Sequence, residues 1–202
     1  MTRRILFAVA ALALAPVALQ AQSVQGETQA TAHANERAQA RIAAAFEAGS
    51  RARIPAALLE SKVREGEAKR VPQERIAAAV EARLQALVKA KEAMSRAKIE
   101  TTSDSELAVA GDALQAGVSA KAVTDVIREA PEGRRVVAIA VLTDLVRLGH
   151  ASDRALARVS AAVRSTAGLA NLNAEVAARM RRNGLGTTLD ANGVVIGKGR
   201  RN

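Results

Sequence analysis

The feature that most limits what this chain can fold into is its lack of large aromatic side chains and of cysteine. Among its 202 residues only Phe7 and Phe46 are aromatic, and no disulfide can form because there is no cysteine. A core must therefore be built from Ala, Val, Leu and Ile, which suit closely spaced helices better than a β-sandwich. We predict an all-α protein, with its short antiparallel helices arranged as an array or a bundle.

The N-terminus has the layout of a secretory signal peptide. Arg3 and Arg4 precede an apolar stretch that ends near Leu19 and is followed by small residues. A membrane anchor is the alternative, but the stretch contains Pro16 and is shorter than the ~20 residues that span a bilayer. We predict a signal peptide over residues 1–21, a periplasmic or secreted protein, and no transmembrane segment after cleavage.

Composition divides the rest of the chain into four segments. They are a polar linker predicted to be disordered, a basic helical region, a second helical region and a basic, flexible tail, at residues 22–34, 35–98, 103–184 and 185–202. The two helical regions either pack as one domain or fold separately. A small hairpin around Asn192-Gly193 is the alternative for the tail, although a two-stranded hairpin is marginal on its own.

Apolar residues recur at helical spacing through both helical regions. The segment PEGRRVVAIAVLTDLVRLG, residues 131–149, is the most hydrophobic after the N-terminus and predicts a central helix, with a buried strand as the alternative. Ser103 and Glu106 are spaced as a capping box, and Gly49 is placed to end the first helix. The predicted buried positions include Ala38, Ile42, Phe46, Leu58, Leu59, Val63, Ala68, Ile76, Val80, Leu84, Leu87, Val88, Val137, Ile139, Val141, Leu142, Leu145, Val146, Leu172, Val176 and Met180.

A short pattern recurs along the chain. RIPAALLE begins at Arg53 and RVPQERIA begins at Arg70, and two looser copies align at Gly117 and Gly149. Proline suits the first turn of a helix, and in the looser copies Ser119 or Ser152 would cap the helix start, so the pattern predicts helix-start punctuation. The 32-residue step between the last two copies is close to the length of a helix-pair repeat. True repetition and independent use of the same helix-start chemistry both explain the pattern.

The sequence offers little catalytic chemistry. Without cysteine there are no thiolate sites, and the only histidines are His33, in the predicted linker, and His150, in a predicted loop. Asp190, Asn192 and Gly193 echo a calcium loop but lack its other ligands. We therefore predict no catalytic residue, cofactor or metal site. A carboxylate-based activity is the enzymatic alternative.

Positive charge is the remaining signal about partners. The net charge of +10 falls to +8 if residues 1–21 are removed, and residues 34–98 hold 14 Lys and Arg against 8 Glu. Such an excess favours an anionic envelope component. Nucleic acid is disfavoured because no aromatic residue is available to stack bases. The most concentrated cluster of candidate contacts is Arg179, Arg181, Arg182, Lys198, Arg200 and Arg201.

One segment resembles a known kind of sequence. EGEAKRVPQERIAAAVEARL, residues 65–84, is similar to segments of uncharacterised exported helical proteins of Gram-negative bacteria, of the form EG-x-A-K-x-V-P-x-x-x-I. The matching residues are Glu65, Gly66, Ala68, Lys69, Val71, Pro72 and Ile76. Arg70 stands where that pattern would have glycine. The resemblance implies no activity.

These observations predict a non-enzymatic, exported interaction or scaffold protein of the bacterial cell envelope, with an unknown protein partner. The alternative is a binder of anionic polymers or membrane surfaces that uses the basic helices and the tail.

Overall fold

A computed structural model describes residues 18–98, 103–185, 188–189 and 195–197, with side chains described over 31–98 and 103–185. The helices are α1 Ala18–Arg51, α2 Ala56–Ala68, α3 Gln73–Arg96, α4 Asp104–Gln115, α5 Ala120–Glu129, α6 Arg135–Arg147, α7 Ser152–Val163 and α8 Thr166–Arg182. A 3₁₀ turn, Glu132–Arg134, leads into α6. The all-α prediction is confirmed.

The helices form two layers. In one layer α1 packs against α3, α3 against α5, and α5 against α7; in the other, α4 packs against α6, and α6 against α8. Helices next to each other in sequence also pack, and each is joined to the next by a short connection. The arrangement is an array of antiparallel helix pairs in which contacts stay between near neighbours.

The core lies between the layers and consists of aliphatic side chains. Its largest fully buried members include Leu87, Ile127, Ile139, Leu142 and Leu145. Many alanines are buried beside them, which lets helix axes approach closely because a methyl group takes little space. The hydrophobic segment at residues 135–147 is helix α6, which contacts α4, α5, α7 and α8, so the prediction of a central helix there is confirmed.

Two predicted core positions are wrong. Ala68 is exposed, because it lies in the last turn of α2, just before the chain turns back. Val137 is 38% exposed, because the buried face of α6 passes through Ala138, Ile139 and Leu142. The predicted positions in α8, at Leu172, Val176 and Met180, are buried as expected.

Helix α1 begins earlier than the sequence suggested. It includes residues 22–34, for which the polar composition predicted a disordered linker. Alanine and glutamine are frequent in this segment and favour helix, which gives a physical reason for the difference. Of the side chains described in α1, Ala38 is the first that is buried. Residues 31–37 of α1 are therefore helical, and none of their side chains is buried.

The ends of the chain lie largely outside the described residues. This applies to residues 1–17 of the predicted signal peptide and to Lys198, Arg200 and Arg201 of the tail. Within the tail, β1 Thr188–Leu189 pairs with β2 Val195–Gly197 in an antiparallel ladder. This pairing is the one that the alternative hairpin would have, while Asn192-Gly193 and most of the tail lie outside the described residues, so the flexible tail stays a prediction. Among the described residues, no helix is long and apolar enough to cross a membrane.

The recurring pattern marks where one helix stops and the next starts. Its first residue has a positive φ at every copy: 54° at Arg53, 53° at Arg70, 92° at Gly117 and 91° at Gly149. The next residue donates its N–H to a carbonyl five positions back, as in Ile54 to Gly49, which is a Schellman motif. Helix α1 therefore ends at Arg51 and not at Gly49 as predicted.

The predicted serine caps are confirmed in two of three cases. Ser103 and Glu106 form the capping box of α4, and Ser119 caps α5 by accepting from the Ala122 N–H. Ser152 is not a cap, since it lies inside the first turn of α7. Its hydroxyl instead donates to the Gly117 carbonyl at 3.4 Å and accepts from the Ser119 N–H at 3.4 Å. The turns that begin at Gly117 and Gly149 therefore lie side by side, as equivalent turns of successive helix pairs do.

Replacement of Arg70 by glycine should stabilise the fold. A non-glycine residue in the left-handed region costs about 1–2 kcal/mol, whereas glycine adds about 0.5–1 kcal/mol of backbone entropy cost. We expect Arg70→Gly to raise the free energy of unfolding by about 0.5 kcal/mol in urea denaturation. Arg75→Gly, in the right-handed first turn of α3, is the matched control and should lower it by about 1 kcal/mol. A loss of stability in Arg70→Gly would contradict the explanation.

Replacement of Gly66 by alanine should destabilise the fold, although alanine favours helix by about 1 kcal/mol. A Cβ at residue 66 would lie 2.6 Å from Cγ1 of Ile76, a stiff β-branched side chain in α3. Overpacking costs about 1–3 kcal/mol, so we expect Gly66→Ala to lose about 1 kcal/mol in urea denaturation. Gly133→Ala is the control, since no atom lies within 4 Å of its Cβ position and little change should follow. A more stable Gly66→Ala would show that α2 and α3 separate freely.

Candidate functional site

The described part of the predicted cationic cluster lies in the last turn of α8. Arg179, Arg181 and Arg182 are all exposed there, and none has an ion pair within the described part of the chain. Cations at a helix C-terminus are stabilised by the helix dipole, by about 0.3–1 kcal/mol at an exposed site. That effect explains why arginine is tolerated at these positions, but it does not identify a ligand. The other predicted contacts, Lys198, Arg200 and Arg201, lie outside the described residues.

A further arginine joins this cluster through the packing of α7 on α8. Arg158 of α7 donates to both carboxylate oxygens of Glu175 of α8, each at 3.1 Å. The two helices are antiparallel, so Arg154, one turn before Arg158, lies at the level of Arg179, one turn after Glu175. Both arginines are exposed. We call Arg154, Arg179 and Arg182 the α7–α8 arginine cluster. Arg182 follows Glu175 by seven positions and so lies on the same face of α8.

Sequence reasoning missed Arg154 because its partners in the cluster are 25 or more positions away in the chain. The signal that could have suggested it is the spacing Arg154, Arg158 in α7 and Glu175, Arg179 in α8. In antiparallel helices this spacing allows a salt bridge between Arg158 and Glu175, with Arg154 and Arg179 side by side one turn away. The register between the helices had to be known first.

Many other cations have structural roles at helix ends. Lys91 donates to the carbonyls of Ala52 and Arg53, at 2.7 and 3.1 Å, after the end of α1. Arg128 donates to the Arg96 carbonyl in the last turn of α3, at 2.6 Å. Arg134 donates in the same way to the last residue of α7, at 2.9 Å from the Val163 carbonyl. These side chains satisfy carbonyls that a helix leaves without partners.

Other cations tie helices together through ion pairs. Arg41 of α1 contacts Glu74 and Glu81 of α3, each at 2.6 Å, and its hydrogen bond to Glu81 holds the pKa of that carboxyl below its usual value. Arg83 is buried between α3 and α4, where it contacts Asp112 at 2.5 Å and the Ala108 carbonyl at 3.2 Å. Part of the positive charge thus stabilises the array and is not available to a ligand.

A shallow groove of about 300 Å³ lies beside the C-terminal ends of α1 and α3. We call it the α1–α3 groove; its lining residues are Ala52, Val88, Lys91, Glu92, Ser95 and Arg96. Two more cations lie close to these residues in the chain: Arg53, one position after Ala52, and Lys98, two positions after Arg96. Both are exposed. The sequence did not predict this site, because it is formed by two helix ends that are some 40 residues apart.

The remaining candidates for reactive chemistry are the histidines and the carboxylates. Over residues 31–98 and 103–185, no three His, Asp or Glu side chains are placed to hold a metal ion. His150 is half-buried in the turn after α6, where its backbone N–H donates to the Leu145 carbonyl. His33 is exposed on α1, 3.4 Å from Glu36.

Comparisons with known proteins add no family or function. The chain matches no protein-family model, no curated protein and no solved structure.

Proposed function

We propose that this protein is a non-enzymatic interaction or scaffold protein of the bacterial cell envelope, exported by the signal peptide predicted at residues 1–21. The supporting observation is the two-layer array, in which each helix contacts only near neighbours. Arrays of this kind are extended and expose long polar faces, which suit the binding of other macromolecules.

The first half of α1 adds to this proposal. The helix begins at Ala18, yet its first buried side chain, among those described, is Ala38. The N-terminal part of α1 that would remain after signal cleavage, residues 22–37, would measure roughly 24 Å at 1.5 Å per residue. A helix of this length is marginal in water without tertiary contacts. A partner that covers this part, where His33, Glu36 and Arg37 are exposed, would stabilise it, so we place the protein–protein contact here.

The test compares two chains, residues 22–202 and residues 35–202, as baits in an envelope fraction. We expect the longer chain to capture a partner protein at physiological salt and the shorter chain not to capture it. The captured protein is then purified, and its binding to the longer chain should saturate. Melting temperatures should agree within a few degrees, because Ala38 is the first buried side chain among those described in α1. Equal capture by both chains, or capture by neither, would contradict the proposal.

A second candidate function is supported by the α7–α8 arginine cluster. Arg154, Arg179 and Arg182 are exposed, share one face and have no ion pair within the described residues. With the basic residues of the tail they would form a surface for anionic polymers or for the headgroups of an anionic membrane.

Substitution within this cluster separates the two candidates. We expect Arg179→Gln with Arg182→Gln to weaken binding to anionic vesicles by about thirtyfold, since each of the two basic residues contributes about 1 kcal/mol near such a surface. The charge-matched control is Lys89→Gln with Arg164→Gln, two exposed positions outside the cluster. Vesicle sedimentation at physiological salt is the measurement. Equal losses in the two double variants would indicate net charge alone, and no vesicle binding by the unaltered chain would exclude this function.

A further inference from the structure

The α1–α3 groove has more cations than its helix ends require. The carbonyls of Ala52 and Arg53 are already bonded by Lys91, and the carbonyl of Arg96 by Arg128. Capping at this edge of the array is thus carried out by two side chains. The other cations around the groove have no capping role.

Three cations remain without a strong partner: Arg53, Arg96 and Lys98. Arg96 has only Glu92, at 3.5 Å, and both of these side chains are more than half exposed. Arg53 and Lys98 have no ion pair within the described part of the chain, and both are exposed. Against these three cations and Lys91, Glu92 is the only acid among the described residues that line the groove. On the neighbouring helix α5, Asp125 is paired with Lys121 and Arg128.

Arg53 and Lys98 also occupy unfavourable backbone positions. Their φ values are 54° and 57°, in the left-handed region that favours glycine. At the corresponding ends of α4, α6 and α8 the residue is a glycine, Gly117, Gly149 and Gly184. Glycine would therefore fit the backbone at residues 53 and 98, and the cationic side chains there are not required by the turn itself.

We infer that the α1–α3 groove is a binding site for a phosphate group, contacted by Arg96 at the groove wall and by Arg53 and Lys98 at its rim. A phosphate carries up to two negative charges and several acceptor oxygens, which matches a site where the described residues supply four cations and one acid, Glu92. Lys91 contributes its fixed positive charge. The site is separate from the α7–α8 arginine cluster and does not depend on the functions proposed above.

The experiment titrates the purified protein with inorganic phosphate at constant ionic strength and follows backbone amide NMR shifts. We expect saturable shifts at residues 88–98 and around Arg53. Arg53→Gly and Lys98→Gly should each weaken binding about threefold, which is typical of the loss of one exposed charge contact. Both variants should stay folded, because glycine suits their backbone conformation.

Two further variants make the result specific. Arg70→Gly relieves the same left-handed strain in an equivalent turn, but at the other end of α2, roughly 20 Å away, so its phosphate binding should be unchanged. Glu92→Gln removes the acid that lines the described part of the groove and should tighten binding about twofold, a gain that a destabilised protein would not show. Arg179→Gln with Arg182→Gln should leave the groove shifts as they are.

A second titration with vesicles that contain phosphatidic acid distinguishes the source of the phosphate. Saturable binding of inorganic phosphate indicates a soluble ligand, and binding to the vesicles alone, with the same order of variants, indicates a lipid headgroup. The inference is wrong if neither probe binds, if Arg53→Gly binds as tightly as the unaltered chain, or if Arg70→Gly loses as much as Arg53→Gly.

Discussion

The structure depends on the close approach of small residues around helix α3. This helix contacts α1, α2, α4 and α5, more neighbours than the helices at either end of the array. At two of these contacts a glycine faces a branched aliphatic side chain of α3, Gly66 against Ile76 and Gly111 against Leu87. A core without aromatic side chains gains its stability from many short aliphatic contacts, so any added methyl group at such points separates the helices.

The ends of the helices are a second constraint on this fold. Short helices leave many carbonyls without partners relative to their length. The described part of the chain satisfies them in two ways, through Schellman turns with a left-handed residue and through Lys or Arg side chains that reach from a neighbouring helix. The second way requires cations inside the array, and it accounts for part of a positive charge that otherwise suggests an anionic partner.

Function must therefore be sought among the cations that the fold does not use. Arg41 and Arg83 connect helices, and Lys91 and Arg128 cap them, so these side chains are occupied. The arginines at the end of α8 and the cations around the α1–α3 groove are exposed and largely unpaired within the described residues. The two sites lie at different places in the array, which allows a scaffold to carry a local anion site.

The sequence by itself determined the fold class, the central helix α6, the capping box at Ser103 and the turns at Arg53, Arg70, Gly117 and Gly149. Each of these follows from local chemistry: side-chain periodicity, a serine cap, or a residue that ends a helix. Tertiary structure alone decided which cations are free. Arg154 joins Arg179 only through the register of α7 on α8, and Lys91 reaches Ala52 only because α1 and α3 run parallel. These contacts depend on helix packing between residues far apart in the chain, which no local pattern encodes.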